Sequence, residues 1–305
     1  MKKIDFVIVN YNTAELLKKC VDNLADIWPN MEIIVIDNDS SDGSREICEE
    51  YSQKGKIRFI RSKNEGLASA HNKALNISKA DYICYLGTDA FPTKDAIKKL
   101  FGFMEISDGA GILSPKLVLR DGSIDWDAHR GFPTPLAAMT HFLSLDKLFF
   151  KSELFNQYFQ GWKNLSKPHE IDACISHFMF TKGKIYEDGI KWDEDYFVFG
   201  EDIDFCYRVK EKGYKIYYLP QIEVLHYKGA SIGRKQSKKI LGENKNIRRI
   251  PIETKVKMAR ASTEAMRLFY RKHYMDKYPM WITSVIFNVI RVLEFIRITK
   301  VYLSS

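Results

Sequence analysis

Over the first hundred positions, short apolar runs, polar turns and apolar residues at helical spacing follow one another repeatedly. Ile4 to Val9 reads as a strand ending in the turn Asn10-Tyr11-Asn12-Thr13, and the next helix carries Leu16, Leu17, Cys20, Val21 and Leu24 on one face. Ile33 to Ile36 predicts a second strand. It closes in Asp37-Asn38-Asp39-Ser40-Ser41-Asp42-Gly43-Ser44, which offers several caps for a helix bearing Ile47, Cys48 and Tyr51. Ile57 to Ile60 predicts a third strand; Leu67, Ala70, Ala74 and Ile77 predict a third helix, and Tyr82 to Leu86 a fourth strand. Strands alternating with helices at this spacing imply right-handed βαβ units and an α/β, mostly parallel sheet.

From about Ile106 to Tyr227 the pattern is less regular and rich in aromatics. Strand candidates there are Ile112-Leu113 and Lys215 to Leu219, and a helix from Asp202 to Lys212 stops at Gly213. Beyond Gly229 the composition changes: Gly233 to Arg260 is basic and turn-rich, then an amphipathic C-terminal region runs to Ser305. No internal repeat is visible.

The chain has 305 residues, 45% hydrophobic and 28% charged, which excludes a wholly disordered chain and supplies a sizeable core. Its five cysteines lie in apolar patterns without a CxxC, so they read as buried thiols in a reducing compartment. The opening enters a charged strand pattern at once, unlike a signal peptide, and no run of eighteen apolar residues predicts a membrane span.

In an open α/β sheet, ligands bind beyond the carboxyl ends of the strands. Three polar clusters fall there: Asn10-Tyr11, Asp37-Asn38-Asp39 and Gly87-Thr88-Asp89. Asp37 can accept a hydrogen bond from the imide N–H of uracil or thymine. Asn64-Glu65-Gly66 enters the third helix, where small residues let a ligand approach and the helix N-terminus favours phosphate. Asp89 is a hard oxygen ligand suited to Mg²⁺ or Mn²⁺ bridging a diphosphate, and His226 can assist it at the metal or the phosphate. Six acids lie within twelve positions from Asp193 to Asp204, interleaved with aromatics; Glu201 and Asp202 open a helix whose dipole keeps a carboxylate ionised as a base. Asp204 and Arg208 form an i,i+4 helix pair.

Taken in order, Val7-Ile8-Val9-Asn10-Tyr11-Asn12, Val35 to Ser44, Asn64-x-Gly66, Gly200-Glu201-Asp202-Ile203-Asp204-x-x-x-Arg208, Lys212 to Ile216 and His226-Tyr227-x-Gly229-x-Ser231 resemble family 2 glycosyltransferases, most of all their bacterial rhamnosyltransferase-like branch. The resemblance implies a GT-A fold with a Rossmann-like central sheet flanked by helices. It implies a nucleotide-sugar half at 1–105, an acceptor and catalytic half at 106–231, and a basic amphipathic extension at 232–305. Asn10, Tyr11, Asp37, Asn38, Asn64, Gly66, Thr88, Asp89 and His226 would then meet a dTDP- or UDP-sugar, Tyr11, Asp37 and Asn38 around the base and ribose. Asp89 would match the last acid of the metal motif and, with His226, hold Mg²⁺ or Mn²⁺. Asp202 would be the base of an inverting transfer to a glycan or lipid-linked acceptor, with Glu201 beside it. Gly87 stands where the family's metal motif usually has Asp or Asn. A catalytically inactive, GT-A-like glycan-binding or scaffold subunit of a polysaccharide assembly system is accordingly the alternative reading.

The loop Asp125 to Pro135 suits sugar or acceptor recognition: Trp126 can stack on a pyranose, and His129 and Arg130 can contact the donor diphosphate or acceptor. Between Gly233 and Arg260 there are ten Lys/Arg and two acids, which equals the whole net charge of +8. Set before the amphipathic stretch Tyr278 to Leu303, that segment points to an anionic membrane surface on the cytoplasmic face. The first turn carries no Gly-rich basic phosphate loop, which argues against a nucleotidyltransferase. No nucleic-acid-binding signature is present, so nucleic acid is not expected as a partner. A homo-oligomer stays open.

Overall fold

The computed structural model describes residues 2–229 and 251–303. The order begins β1 (Ile4–Asn10), α1 (Ala14–Leu24), β2 (Met31–Asn38), α2 (Ser44–Gln53), β3 (Arg58–Ser62), α3 (Leu67–Leu75) and β4 (Tyr82–Leu86). Then come β5 (Ala90–Phe91), α4 (Lys94–Ile106), β6 (Ala110–Val118), a 3₁₀ turn (Trp126–Ala128), α5 (Pro135–Phe142), α6 (Leu145–Leu148) and β7 (His169–Glu170). The rest is β8 (Phe178–Lys182), α7 (Lys184–Glu187), α8 (Glu201–Glu211), β9 (Lys215–His226), α9 (Ile252–His273) and α10 (Met280–Leu303).

The main path of the sheet runs β3-β2-β1-β4-β8-β6-β9-β5, with β7 on β9. β3, β2, β1 and β4 are mutually parallel, as are β6 and β9; β8 runs antiparallel between β4 and β6. The mostly parallel sheet expected from the sequence is present. The antiparallel insertion of β8 was not expected, because it depends on a pairing about a hundred residues apart. Ile4, Phe6, Val7, Ile8, Ile34, Val35 and Ile36 are fully buried, each contributing roughly 1.5–3 kcal/mol through lost water contact. The charge inside β1 is satisfied: Asp5 accepts a hydrogen bond from Ser78 Oγ at 2.6 Å and pairs with Lys3 Nζ at 3.1 Å.

All five cysteines are buried and free, as their apolar setting predicts. The basic stretch needs one correction. Residues 230–250 lie outside the described residues, but from Ile252 the chain is helical rather than turn-like. The reason is apolar: Phe269, Tyr270 and the following Tyr274 are buried against the domain, and Tyr207 of α8 stacks against His273 with ring centroids 4.2 Å apart. α10 returns antiparallel to α9, since Tyr270 bonds Thr283, Arg267 bonds Glu294 and Arg297 bonds Ser262. Among the described residues no helix is long and apolar enough to cross a membrane.

Candidate active site at the carboxyl edge of the sheet

The sheet register sets Asn10 opposite Asp37 at the ends of β1 and β2. Asn10 Nδ2 donates to Asp37 Oδ1 at 2.7 Å and to Ser40 Oγ at 3.1 Å; the second Asp37 oxygen accepts the Ser40 N–H at 3.0 Å. Thr13 Oγ1 donates to Asn10 Oδ1 at 2.6 Å and lies 3.0 Å from Thr88 Oγ1 beyond β4. Asp42 accepts the Ala14 N–H at 2.9 Å and the Ser44 hydroxyl at 2.5 Å, holding the first turns of α1 and α2. One polar net therefore ties three strand ends together. Asp37 is nearly sealed, at 1% exposure, and works inside this net, whereas Tyr11 stands on the rim, 52% exposed.

Asn38 Nδ2 donates to the Gly66 carbonyl at 3.2 Å, while its buried Oδ1 has no hydrogen-bond partner and is available to a ligand donor. Gly66 has φ of +104°, and the next N–H, Leu67, bonds Phe197 O at 2.9 Å, so the start of α3 is pinned to the segment before α8. Asn64 is exposed on the approach to that turn.

A second cluster forms where β5 pairs β9, setting Ala90 opposite His226. His226 Nδ1 bonds Asp125 Oδ2 at 2.8 Å, and its Nε2 lies 3.5 Å from Asp89 Oδ1. Lys228 Nζ reaches Asp125 at 2.6 Å and Asp127 at 2.5 Å. Burial pushes the His226 imidazole down, but its bond to Asp125 and the nearby Asp89 carboxylate carry it up to about 9. Burial pushes the Asp125 carboxyl up; the His226 bond and the Lys228 charge outweigh it and hold the group well below the usual carboxylate range. Asp89, His177 and His226 each bring a ligand atom within 4.8 Å of the others. One carboxylate and two imidazoles, His226 on β9 and the other two in turns next to strands, fit a divalent cation.

The third cluster opens α8. Gly200 takes φ of +80° and turns the chain into the helix; Glu201 and Asp202 follow, both buried. Asp202 Oδ1 accepts the Ile203 N–H at 2.8 Å, and Oδ2 meets Arg130 Nη2 at 2.6 Å. Burial first, and the Asp202 charge second, raise the Glu201 carboxyl to about 8. Of two adjacent acids, one is thus held by a guanidinium and the other favours its proton.

The second and third clusters are joined by one short piece of chain: Asp125 bonds His226, Asp127 bonds Lys228, and Arg130 bonds Asp202. Arg130 is itself pinned, exchanging backbone bonds with Ala173 at 2.8 and 3.0 Å. The sheet-end net, the carboxylate–imidazole cluster and the helix-borne acid thus lie along one edge.

The family model described as glycosyl transferase family 2 matches residues 5–183. The chain belongs to glycosyl transferase family 2. Over 101 residues, 32% of this chain, it is 33% identical to glycosyltransferase GlyA of Streptococcus pneumoniae, spanning 14% of that protein's length. It spans 36% of a second pneumococcal relative, glycosyltransferase GlyG, at 32% identity over 108 residues, 34% of this chain. Rhamnosyltransferase WbbL of Escherichia coli is 24% identical over 233 residues, 72% of this chain and 82% of WbbL. Among solved structures, S. aureus TarS 1-349 in complex with UDP matches with a TM-score of 0.54 at 14% identity, covering 99% of this chain and 90% of TarS 1-349, which is a likeness of fold. The GT-A arrangement expected from the sequence stands on these findings.

Within this family 2 chain, most sequence-predicted residues gather on the one edge, but the loop after Asp125 is used differently. Arg130, expected on the donor or acceptor, is 6% exposed and holds Asp202. His129 is fully buried, its Nδ1 on Phe159 O at 2.8 Å and its Nε2 on His169 Nε2 at 2.7 Å, so it supports the loop rather than facing a ligand. Trp126 packs edge-on against Phe150 and His129 and is half-buried. Sequence reasoning missed His177, Asp127, Lys228 and the role of Asp125. A lone His in Cys174-Ile-Ser-His-Phe carries no periodic or spacing signal, and its neighbours are distant in sequence.

Proposed function

We propose that this chain is an inverting hexosyltransferase, moving a sugar from a nucleoside diphosphate to a hydroxyl of a glycan or lipid-linked acceptor in bacterial surface polysaccharide synthesis. The observation that carries the reading is the buried Asp202 at the start of α8, held by Arg130 and linked through residues 125–130 to the Asp89–His226 cluster. Asp202 takes the proton of the acceptor hydroxyl; that oxygen attacks the anomeric carbon from the face opposite the diphosphate, whose bond to carbon breaks. Arg130 holds the base in position through its 2.6 Å contact, while Glu201, which favours its proton, adds no second negative charge beside it. Asn10 and Asp37 hold the turn that carries Tyr11, which meets the base and ribose with Asn38, whose buried Oδ1 accepts from the ligand. Thr88 and the Gly66 turn border the diphosphate. Asp89 and His226 would hold a divalent cation, which would supply charge neutralisation for the leaving diphosphate. The likeness to a rhamnosyltransferase supports rhamnose among the candidate donor sugars.

Nucleotide-dependent thermal stabilisation tests the donor site. UDP-, dTDP- or GDP-sugars at about a hundredfold over their dissociation constant should add roughly 2.7 kcal/mol to stability, read as a rise in melting temperature. No shift with any of the three would overturn the reading.

The site works at the cytoplasmic membrane face in this proposal, with α10 lying in the interface. Met280, Trp281, Val285, Val292, Phe295 and Ile296 are all more than half exposed on α10, and Arg291, Arg297 and Lys300 are interposed. The protein should co-sediment with phosphatidylglycerol vesicles and release when Trp281 and Phe295 are both changed to Ser. Equal sedimentation of that variant and the wild type would remove α10 as the membrane contact.

A further inference from the structure

Gly87 and His177 explain each other. A Cβ at residue 87 would lie 2.8 Å from Asp89 Oδ1 and 2.8 Å from His177 Cδ2, so the imidazole fills the space a side chain there would enter. The fit is fixed by the backbone: β4 pairs β8 up to Leu86 opposite Phe178, and the Gly87 N–H extends the ladder by bonding His177 O at 2.9 Å. The His177 ring faces His226 at a centroid distance of 5.5 Å, and both bring ring nitrogens within 4.8 Å of an Asp89 oxygen and of each other. His226 is 2% exposed, and its bond to Asp125 leaves Nε2 directed towards Asp89 without a hydrogen-bond partner. A carboxylate behind one ring nitrogen, with the other aimed at a cluster of ligands, is how metal-binding histidines are oriented.

We propose that His177 is a metal ligand of the Asp89–His226 site, standing where Gly87 leaves room, and that it makes the site select a borderline transition cation such as Mn²⁺ or Co²⁺ over Mg²⁺. Magnesium favours oxygen ligands and gives up water reluctantly, whereas two imidazoles and one carboxylate suit the first-row transition ions. The inference rests on the reading of this edge as a donor site, but its test separates the two.

Isothermal titration of the full chain without nucleotide, using Mn²⁺, Co²⁺ and Mg²⁺ separately, measures the preference. Pulsed EPR of bound Mn²⁺ counts the coordinated imidazole nitrogens. We expect Mn²⁺ to bind at least about tenfold more tightly than Mg²⁺, with two coordinated imidazoles. His177→Ala should lower Mn²⁺ affinity by about tenfold or more, leave Mg²⁺ within about twofold, and show one imidazole. Gly87→Asp alone is crowded by the imidazole and should weaken both ions. Gly87→Asp combined with His177→Ala should bind again, with the preference moved toward Mg²⁺. An unchanged imidazole count in His177→Ala, or equal losses of Mn²⁺ and Mg²⁺, would overturn the proposal, with circular dichroism melts showing that each variant is folded. A UDP or dTDP thermal shift without Mn²⁺ binding would overturn it while sparing the donor site. His177-dependent Mn²⁺ binding without any nucleotide shift would do the reverse.

Discussion

Asp202→Asn is expected to lose sugar transfer by about 10²–10⁴-fold while still binding a nucleoside diphosphate, because it removes the proposed proton acceptor and leaves the sheet-end net untouched. The same change has a second cost. Arg130 is 6% exposed, and its guanidinium pairs with Asp202 Oδ2 at 2.6 Å. Neutralising one member of a buried pair strands the other, typically at about 3–5 kcal/mol, whereas replacing both is far cheaper. Arg130→Met with Asp202→Asn should therefore recover most of the stability lost by Asp202→Asn alone, and none of the activity. Urea unfolding of the single and double variants, beside radiolabelled sugar transfer, reads the two effects separately. Normal turnover by Asp202→Asn would move the base to Glu201. A double variant no more stable than the single one would mean that the pair does not hold the loop.

Gly66→Ala should cost about 2–5 kcal/mol and weaken nucleotide binding, although it adds a single methyl. Its φ of +104° is strained for any side chain, and a Cβ there would sit 2.5 Å from Phe197 O and 2.9 Å from Phe197 Cα. Those are backbone atoms that cannot rotate away. Relief requires the start of α3 to move off the segment before α8, breaking the Leu67 to Phe197 bond and disturbing the Gly66 carbonyl that orients Asn38. Gly102→Ala, mid-helix in α4 with nothing within 4 Å of its Cβ, is the control and should gain roughly 0.5–1 kcal/mol. Gly66→Ala unfolding at the same urea concentration as the wild type would show that the contact yields easily.

The first half of the fold was legible because its signals are local. Ile4 to Val9 and Ile33 to Ile36 are apolar runs bounded by polar turns, and Leu16 to Leu24 keeps a helical spacing. The acid pair at the start of α8 and the stop at Gly213 were visible for the same reason. What escaped depends on chain segments far apart. Nothing in Phe178 to Lys182 announces a strand running against its neighbours between β4 and β6. Arg130 has the composition of a ligand contact, and only the fold brings it to a carboxylate 72 residues away. The charges of Lys255, Lys257 and Arg260 disguised the start of α9, whose helical character is decided further on by Phe269, Tyr270 and Tyr274. Gly87 read as a missing acid; only the register of β4 against β8 reveals the imidazole beside it.

The packing of α9 on α8 bears on how the protein can be dissected. Asp204, fully buried in the helix that carries the proposed base, is gripped from two directions: by Arg208 on its own helix and by His273 Nε2 at 2.7 Å from α9. Lys272 clasps Asp193 and Asp195 just upstream. A chain cut after Gly229 would keep every residue assigned to the proposed chemistry, Lys228 included, yet it would open a buried carboxylate and the Tyr207 ring to water at the back of α8. In such a shortened protein, lost turnover would report a loosened floor beneath the base, not the removal of a membrane tether.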